Sequence, residues 1–217
     1  ITLYRNGVAD GPYQARAAAL AALVKYGAAI ALPVLREALG DPDWAIRVRA
    51  RALVREIDPT SGGVDLVRPA STREANSYQA PALVSPAVSP HVFIETDKGT
   101  IEVEMAMLDA PQTAANFLRL ARAGQFSGVS IHRVVPNFVV QDGDARGDGE
   151  GGPGYTIRDE LNELPYLRGT LGMALEWPDT GGSQFFITHS PQPHLDGRYT
   201  VFGRVVAGME VVDRLQQ

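Results

Sequence analysis

The sequence predicts a multidomain chain: an N-terminal all-α segment, a linker, and a mainly β domain of the barrel or sandwich kind. Three observations predict it. The first 58 residues repeat themselves at a fixed period, residues 59–90 lose periodicity and become rich in Pro, Ser and Ala, and from His91 short alternating strands separated by turn residues take over. The boundaries are therefore 1–58, 59–90 and 91–217.

In the first segment, a displacement of 33 positions superposes Gly7 on Gly40, Asp10 on Asp43, Arg16 on Arg49, Ala17 on Ala50, Ala19 on Ala52 and Leu20 on Leu53. Apolar residues share one helical face at Tyr13, Ala17, Leu20, Ala21 and Val24, and again at Ile46, Ala50, Leu53, Val54 and Ile57. Between them, AIALPVLREALGDPD reads as another helix, stopped at Gly40 and Asp41-Pro42. Such a period means stacked helical hairpins. The stretch LPVLREALGDPDWAIRVRARALVREI resembles a bacterial HEAT-like repeat, with a proline early in its first helix, an aspartate in the turn and Val-Arg early in its second. The resemblance covers one repeat and the second helix of the one before. Because such repeats need about three units to bury a continuous core, the helices are expected to continue N-terminal to Ile1. Arg47, Arg51 and Arg55 fall at i, i+4 spacing, a basic stripe that is either a solvated face or a docking surface for a protein partner.

Residues 59–90 read as a linker, semi-extended where prolines cluster, in which Val64, Leu66 and Val67 or Leu83 and Val84 are the residues able to pack on a neighbour. The chain starts at Ile1 with neither an initiator methionine nor a leader, so a fragment or processed chain is expected, and a cytoplasmic and an exported location both stay open.

Composition narrows the function classes. The 217 residues are 45% hydrophobic and 21% charged, as in globular domains, and no apolar run nears the ~18 residues needed to span a bilayer. With no cysteine there is no disulfide, thiolate nucleophile or zinc ribbon. The first 58 residues carry eight basic and six acidic side chains, and residues 91–217 carry ten and seventeen. An acidic C-terminal domain argues against nucleic acid as a ligand.

Within that domain, HVFIETDKGTIEVEMAM alternates on both sides of Lys98-Gly99 as a hairpin does. APQTAANFLRLARAGQF follows as a helix with apolar Phe117, Leu118, Leu120 and Ala121, closed by Gly124. Strand-like runs recur at SIHRVVPNFVVQDG, TLGMAL, SQFFITH and YTVFGRVV, and GMEVVDRLQ ends the chain as a short helix.

The stretch IHRVVPNFVVQDGD, followed by GTLGMA, GGSQFFITHSPQPHLDGRYTVFG and GMEVVD, resembles the cyclophilin family of peptidyl-prolyl cis/trans isomerases from about His91 to Leu215. The resemblance implies a closed, eight-stranded β-barrel capped by two helices, acting on proline-containing polypeptides through a groove on its outer face, with no cofactor and no metal. It assigns the catalytic role to Arg133 and a groove position to His132. Phe138, Val139, Phe186 and Leu195 match the family's proline pocket, with valine in place of the usual methionine at 139. Gln141 and Gln184 match positions that hydrogen-bond substrate backbone, and Ala174 a groove-wall alanine. Leu175 stands where asparagine is usual, His194 where drug-sensitive members carry tryptophan, and Tyr199 where many members have a second histidine. These departures imply weakened cyclosporin binding more than lost isomerase activity. The chain also ends at Gln217, before the strand that closes the barrel in the family.

The chemistry suits those residue types. Rotation about an Xaa-Pro bond needs no nucleophile or proton transfer, only preferential binding of the twisted amide, and a guanidinium offers a permanent charge with several donors in one plane. Other motifs are weaker. Gly147, Gly149 and Gly152 satisfy a dinucleotide-type glycine spacing, but Asp148 and Glu150 would repel a pyrophosphate and Pro153-Gly154 prevents a helix from starting. Asp142, Asp144 and Asp148 imitate a calcium loop, yet Arg146 and Pro153 fall where ligands are needed. His189 and His194 are too far apart for confident metal ligation, and no nucleophile elbow surrounds Ser183. The alternative to the enzyme is a binding module that captures proline-containing segments with little turnover, positioned by the helical repeats.

Overall fold

The computed structural model describes residues 1–8, 13–60 and 89–215, so most of the expected linker lies outside the described residues. The chain forms two compact units, one made of the N-terminal helices with Pro153–Arg158, the other of the remaining β-rich residues.

In the first unit, α1 (Thr2–Gly7), α2 (Tyr13–Val24), α3 (Ala28–Ala38) and α4 (Trp44–Ile57) pack through small and branched side chains. Ala17, Leu20, Val34, Leu35, Ile46, Ala50 and Val54 are buried between them. The α3–α4 turn is organised by Asp41, which accepts hydrogen bonds from the Tyr4 hydroxyl at 3.1 Å, Arg16 Nη2 at 3.3 Å and the Asp43 amide at 2.8 Å. Arg16 also donates to the Gly7 carbonyl at 2.8 Å, so this buried charge has both a counterion and a hydrogen-bond acceptor. Asp43 caps α4 by accepting from the Ala45 amide at 2.9 Å, and the same oxygen accepts from the Thr156 hydroxyl at 2.7 Å. Arg158 lies 4.5 Å over the Trp44 ring.

The expected basic stripe needs correction. Arg47 is only 5% exposed, with its guanidinium 5.2 Å from the centre of the Trp44 ring, because the aromatic one turn away offers the long stem a surface to lie on. Half-buried Arg51 and exposed Arg55 remain. No helix among the described residues is long and apolar enough to cross a membrane.

The second unit is built on seven antiparallel strands: β1 (His91–Thr96), β2 (Gly99–Met105), β3 (Arg133–Val135), β4 (Val139–Asp142), β5 (Thr170–Met173), β6 (Phe185–Thr188) and β7 (Val201–Ala207). Their order is β1-β2-β7-β5-β6-β4-β3. Register shifts at Glu102/Val103 and Leu171/Gly172 mark bulges, the device by which a sheet bends. The described strands thus make a curled half-barrel with β1 and β3 at its two ends, rather than the expected closed ring of eight. No described residue pairs with the outer edge of either end strand.

The core between the sheet and its longer helix is aromatic. Phe117 of α5 (Pro111–Arg122) meets Phe126, Phe185 and Phe202 at ring-centre distances of 4.9, 5.2 and 5.4 Å. Phe185 therefore belongs to the core, while Phe186, the next residue on the pleat, faces the other way. Pro111 opens α5, and the Glu160 carboxylate accepts from the amides of Gln112 and Thr113 at 3.0 and 2.6 Å, satisfying donors that a helix start leaves unpaired. A shorter helix, α6 (Met209–Arg214), buries Val211 and Val212 against the sheet.

Candidate active site

The groove lies on the face of β3, β4, β5 and β6 opposite the one that carries Phe185. Strand alternation decides what reaches it: Arg133 and Gln141 are directly paired on β3 and β4, and Gln141 is directly paired with Phe186 on β6, so all three project to one side. The β3–β4 turn is closed by the Phe138 amide donating to the Val135 carbonyl at 3.0 Å, with Pro136 fixing one central φ and Asn137 taking φ 60°, a conformation asparagine tolerates. Gln192 and Ser190 donate to the Asn137 carbonyl at 2.9 and 2.6 Å, holding the turn and Phe138 with it.

Arg133, Phe138, Val139, Gln141, Ala174, Leu175, Phe186, Leu195 and Tyr199 line a groove of about 160 Å³. Its floor is apolar: Val139, Phe186 and Leu195 are buried with Tyr166 and Val201, and Phe138, Ala174 and Tyr199 pack around them. Tyr199 meets Phe186 edge-on at 5.9 Å. Its rim carries one charge, the exposed guanidinium of Arg133, which donates through Nη1 to Gln141 Oε1 at 3.0 Å and sits 5.9 Å from the Phe138 ring centre. Gln141 Nε2 donates to Gln184 Oε1 at 2.9 Å, and Gln184 Nε2 to the carbonyls of Gly149 and Gly151, each at 2.8 Å.

Three residues expected in the groove sit elsewhere. Gln184 stands behind Gln141, one hydrogen bond away from the lining. His194, on a 3₁₀ turn (Pro193–Leu195), is exposed and stacks on the outer side of Phe138 at 5.7 Å. His132 precedes Arg133 on the pleat and so points to the opposite face, where its ring nitrogens are shielded from solvent and make no hydrogen bond. Across from it, burial pushes the Asp142 carboxyl upward, opposed by the Gly143 amide and the neighbouring His132.

Sequence reasoning missed Tyr166 and Gly172. Tyr166 is 1% exposed and stacks beneath Phe186 at 5.6 Å, and burial raises its phenol well above the ordinary value. Gly172 lies opposite Phe186, and a β-carbon there would meet the Phe186 ring and the Tyr166 hydroxyl. The only signal was a glycine inside an apolar strand, which marks a close approach of neighbours.

The residues weighed for other chemistry are occupied. Asp144 is fully buried with its carboxylate turned to backbone amides, Asp148 pairs with Arg146 at 2.5 Å, and the Ser183 hydroxyl donates to the Gly143 carbonyl at 2.6 Å. Among the described residues no cluster of three or more His, Cys, Asp or Glu side chains could hold a metal ion.

Comparison with known proteins agrees with this geometry. Residues 91–217 match the family model described as cyclophilin type peptidyl-prolyl cis-trans isomerase/CLD. The chain is 53% identical over 112 residues to a peptidyl-prolyl cis-trans isomerase of Synechococcus elongatus, covering 52% of this chain and 77% of that protein. It is 51% identical over 120 residues to peptidyl-prolyl cis-trans isomerase B of Bacillus subtilis, covering 54% and 84%. A crystal structure of a Cryptosporidium parvum cyclophilin type isomerase, obtained in the presence of the dipeptide Ala-Pro, superposes with a TM-score of 0.57 at 37% identity over 59% of this chain and 85% of that one.

Proposed function

We propose, from the premise that this chain belongs to the cyclophilin-type peptidyl-prolyl cis-trans isomerase family, that Arg133 is the catalytic residue of its isomerase activity and that the groove around it holds the proline. The enzyme accelerates rotation about Xaa-Pro bonds in polypeptides and so assists protein folding. The observation that carries the assignment is a single exposed guanidinium fixed over the rim of an apolar groove.

The barrier to be lowered is ~18 to 20 kcal/mol and comes from delocalisation of the nitrogen lone pair into the carbonyl. In the twisted state the nitrogen is pyramidal and its lone pair localised. Arg133 directs its free donors at that lone pair and at the prolyl carbonyl, binding the twisted amide more strongly than either planar isomer. Phe138, Val139, Phe186 and Leu195 grip the pyrrolidine ring while the preceding residue turns, with Ala174, Leu175 and Tyr199 as walls. Gln141 orients the guanidinium and offers hydrogen bonds to substrate backbone; His132, Gln184 and His194 support the groove from behind and beside it. With histidine rather than tryptophan at 194, cyclosporin binds weakly. The helical unit consists of HEAT-like repeats, a reading supported by the paired helices and the buried turn aspartate, and the half-barrel closes into a ring when an eighth strand lies between β1 and β3.

The test is an isomerase assay on an Ala-Pro-Phe-type peptide, protease-coupled or by exchange NMR. Acceleration by this chain that falls at least tenfold in a folded Arg133→Ala variant supports the assignment, whereas peptide binding without acceleration by the parent overturns it in favour of a binding module.

A further inference from the structure

A buried carboxylate that touches neither substrate nor guanidinium is joined to Arg133 by a one-directional chain of hydrogen bonds. Asp144 is fully buried. Its Oδ1 accepts from the Arg146 amide at 2.8 Å and its Oδ2 from the Gly149 amide at 2.5 Å, with the Gly147 and Gly151 amides also facing it. One side chain thereby gathers the whole 144–151 turn around itself. Gly147 and Gly149 take φ of 72° and 86°, and a β-carbon on Gly151 would collide with the Asp144 carboxylate. At these positions only glycine fits this wrapping without strain or collision.

The turn's carbonyls at Gly149 and Gly151 then face Gln184, and a carbonyl only accepts. That fixes which end of the Gln184 amide points where: its NH₂ meets the turn and its Oε1 meets Gln141. Gln141 must in turn give its NH₂ to Gln184, and its Oε1 is left as an acceptor for Arg133. Had Gln184 been free to flip, Gln141 could have flipped with it and shown the guanidinium a donor, which repels it.

We propose that Asp144 is a positioning residue for the isomerase reaction, setting the orientation of Arg133 through the 146–151 turn, Gln184 and Gln141. The inference rests on the assignment of Arg133 above. It predicts that loosening the turn lowers turnover while leaving the apolar grip on proline intact.

The experiment is a cycle on the intact chain, measuring kcat and KM for an Ala-Pro peptide in the parent, Asp144→Asn, Gln184→Ala and the double variant. Asp144→Asn keeps the shape but cannot accept at both ends. The expected result is a fall in kcat of about fivefold or more with KM nearly constant, shrinking to less than twofold when Gln184 is already alanine, as for sites joined in one network. The Gln141 and Gln184 side-chain NH₂ resonances shift in the same variant. An equal effect in both backgrounds, or unchanged kcat in folded Asp144→Asn, overturns the proposal. Should that variant fail to fold, Gly149→Ala replaces it in the same cycle. It strains only the turn, because nothing lies within 4 Å of the added carbon, and the same two outcomes decide. A parent chain without isomerase activity would instead refute the assignment of Arg133, so the two failures are distinguishable.

Discussion

Gly172 and Phe186 are directly paired on β5 and β6, and the Phe186 ring occupies the space that a side chain at 172 would need. The pocket floor thus exists because one strand position is empty. Gly172→Ala is expected to push Phe186 off Tyr166 and to destabilise the β unit by ~1 to 3 kcal/mol, the usual cost of overfilling a packed site. Denaturant titration measures the loss, and a matching rise in KM for proline peptides would place it in the groove.

Arg133→Lys keeps a positive charge and removes the planar fork. A single ammonium nitrogen, whose three N–H bonds diverge from one point, cannot span Gln141, an amide nitrogen and its carbonyl as the planar fork does, so kcat/KM is expected to fall roughly 10²-fold, the scale of losing one well-placed transition-state donor. Peptide affinity measured by NMR titration should change little. Full activity in the lysine variant would mean that charge alone suffices.

His189 is 3% exposed, and burial holds its imidazole below the usual value, with the carbonyls of Val212 and Val135 and the Asp213 carboxylate opposing and Arg168 adding to the shift. Because the unfolded chain protonates first, near pH ~6.5, stability is complete above that pH and declines as pH falls below it. Asp142 and Asp159, raised by burial, act with the opposite sign. The comparison of parent with His189→Gln therefore isolates the histidine: the parent's melting temperature should drop from pH 7 to pH 5 by more than the variant's.

Asp41→Asn leaves Arg16, 3% exposed at its side chain, without a counterion. Removing one member of a buried pair costs ~3 to 5 kcal/mol, and here the Tyr4 hydroxyl and Asp43 amide lose a charged acceptor as well. Amide exchange across α2 and the α3–α4 turn should accelerate sharply, whereas unchanged protection would show that the pair is dispensable.

Much of the groove was legible because its residues lie on strands, where alternation tells which neighbours share a face. The family resemblance named Arg133, Val139, Gln141 and Phe186, and alternation accounts for their sharing one face; the same rule turns His132 away, a consequence the motif match obscured. What the sequence hides are contacts between distant segments. Nothing in LPYLRG marks Tyr166 as the layer beneath Phe186, and nothing in DGDARGDGEGG distinguishes an aspartate that gathers amides from one displayed to solvent. Arg47 was misread for a similar reason: helical spacing gave its angle but not the Trp44 ring that covers it.

The strand that carries Arg133 is three residues long and, among the described strands, stands at one end of the sheet and pairs with β4 alone. Its pocket partners on β4 and β6 are paired on both sides. Among the described strands, the socket is thus held on both flanks and the arginine strand on one. A prolyl amide sweeps through a half-turn as it reacts, and an arm anchored along one edge can follow the moving atoms while the socket stays still. The same anchoring makes β3, of the described groove strands, the one that opens at least cost, so the proposed catalytic residue stands on the strand that the described sheet secures least.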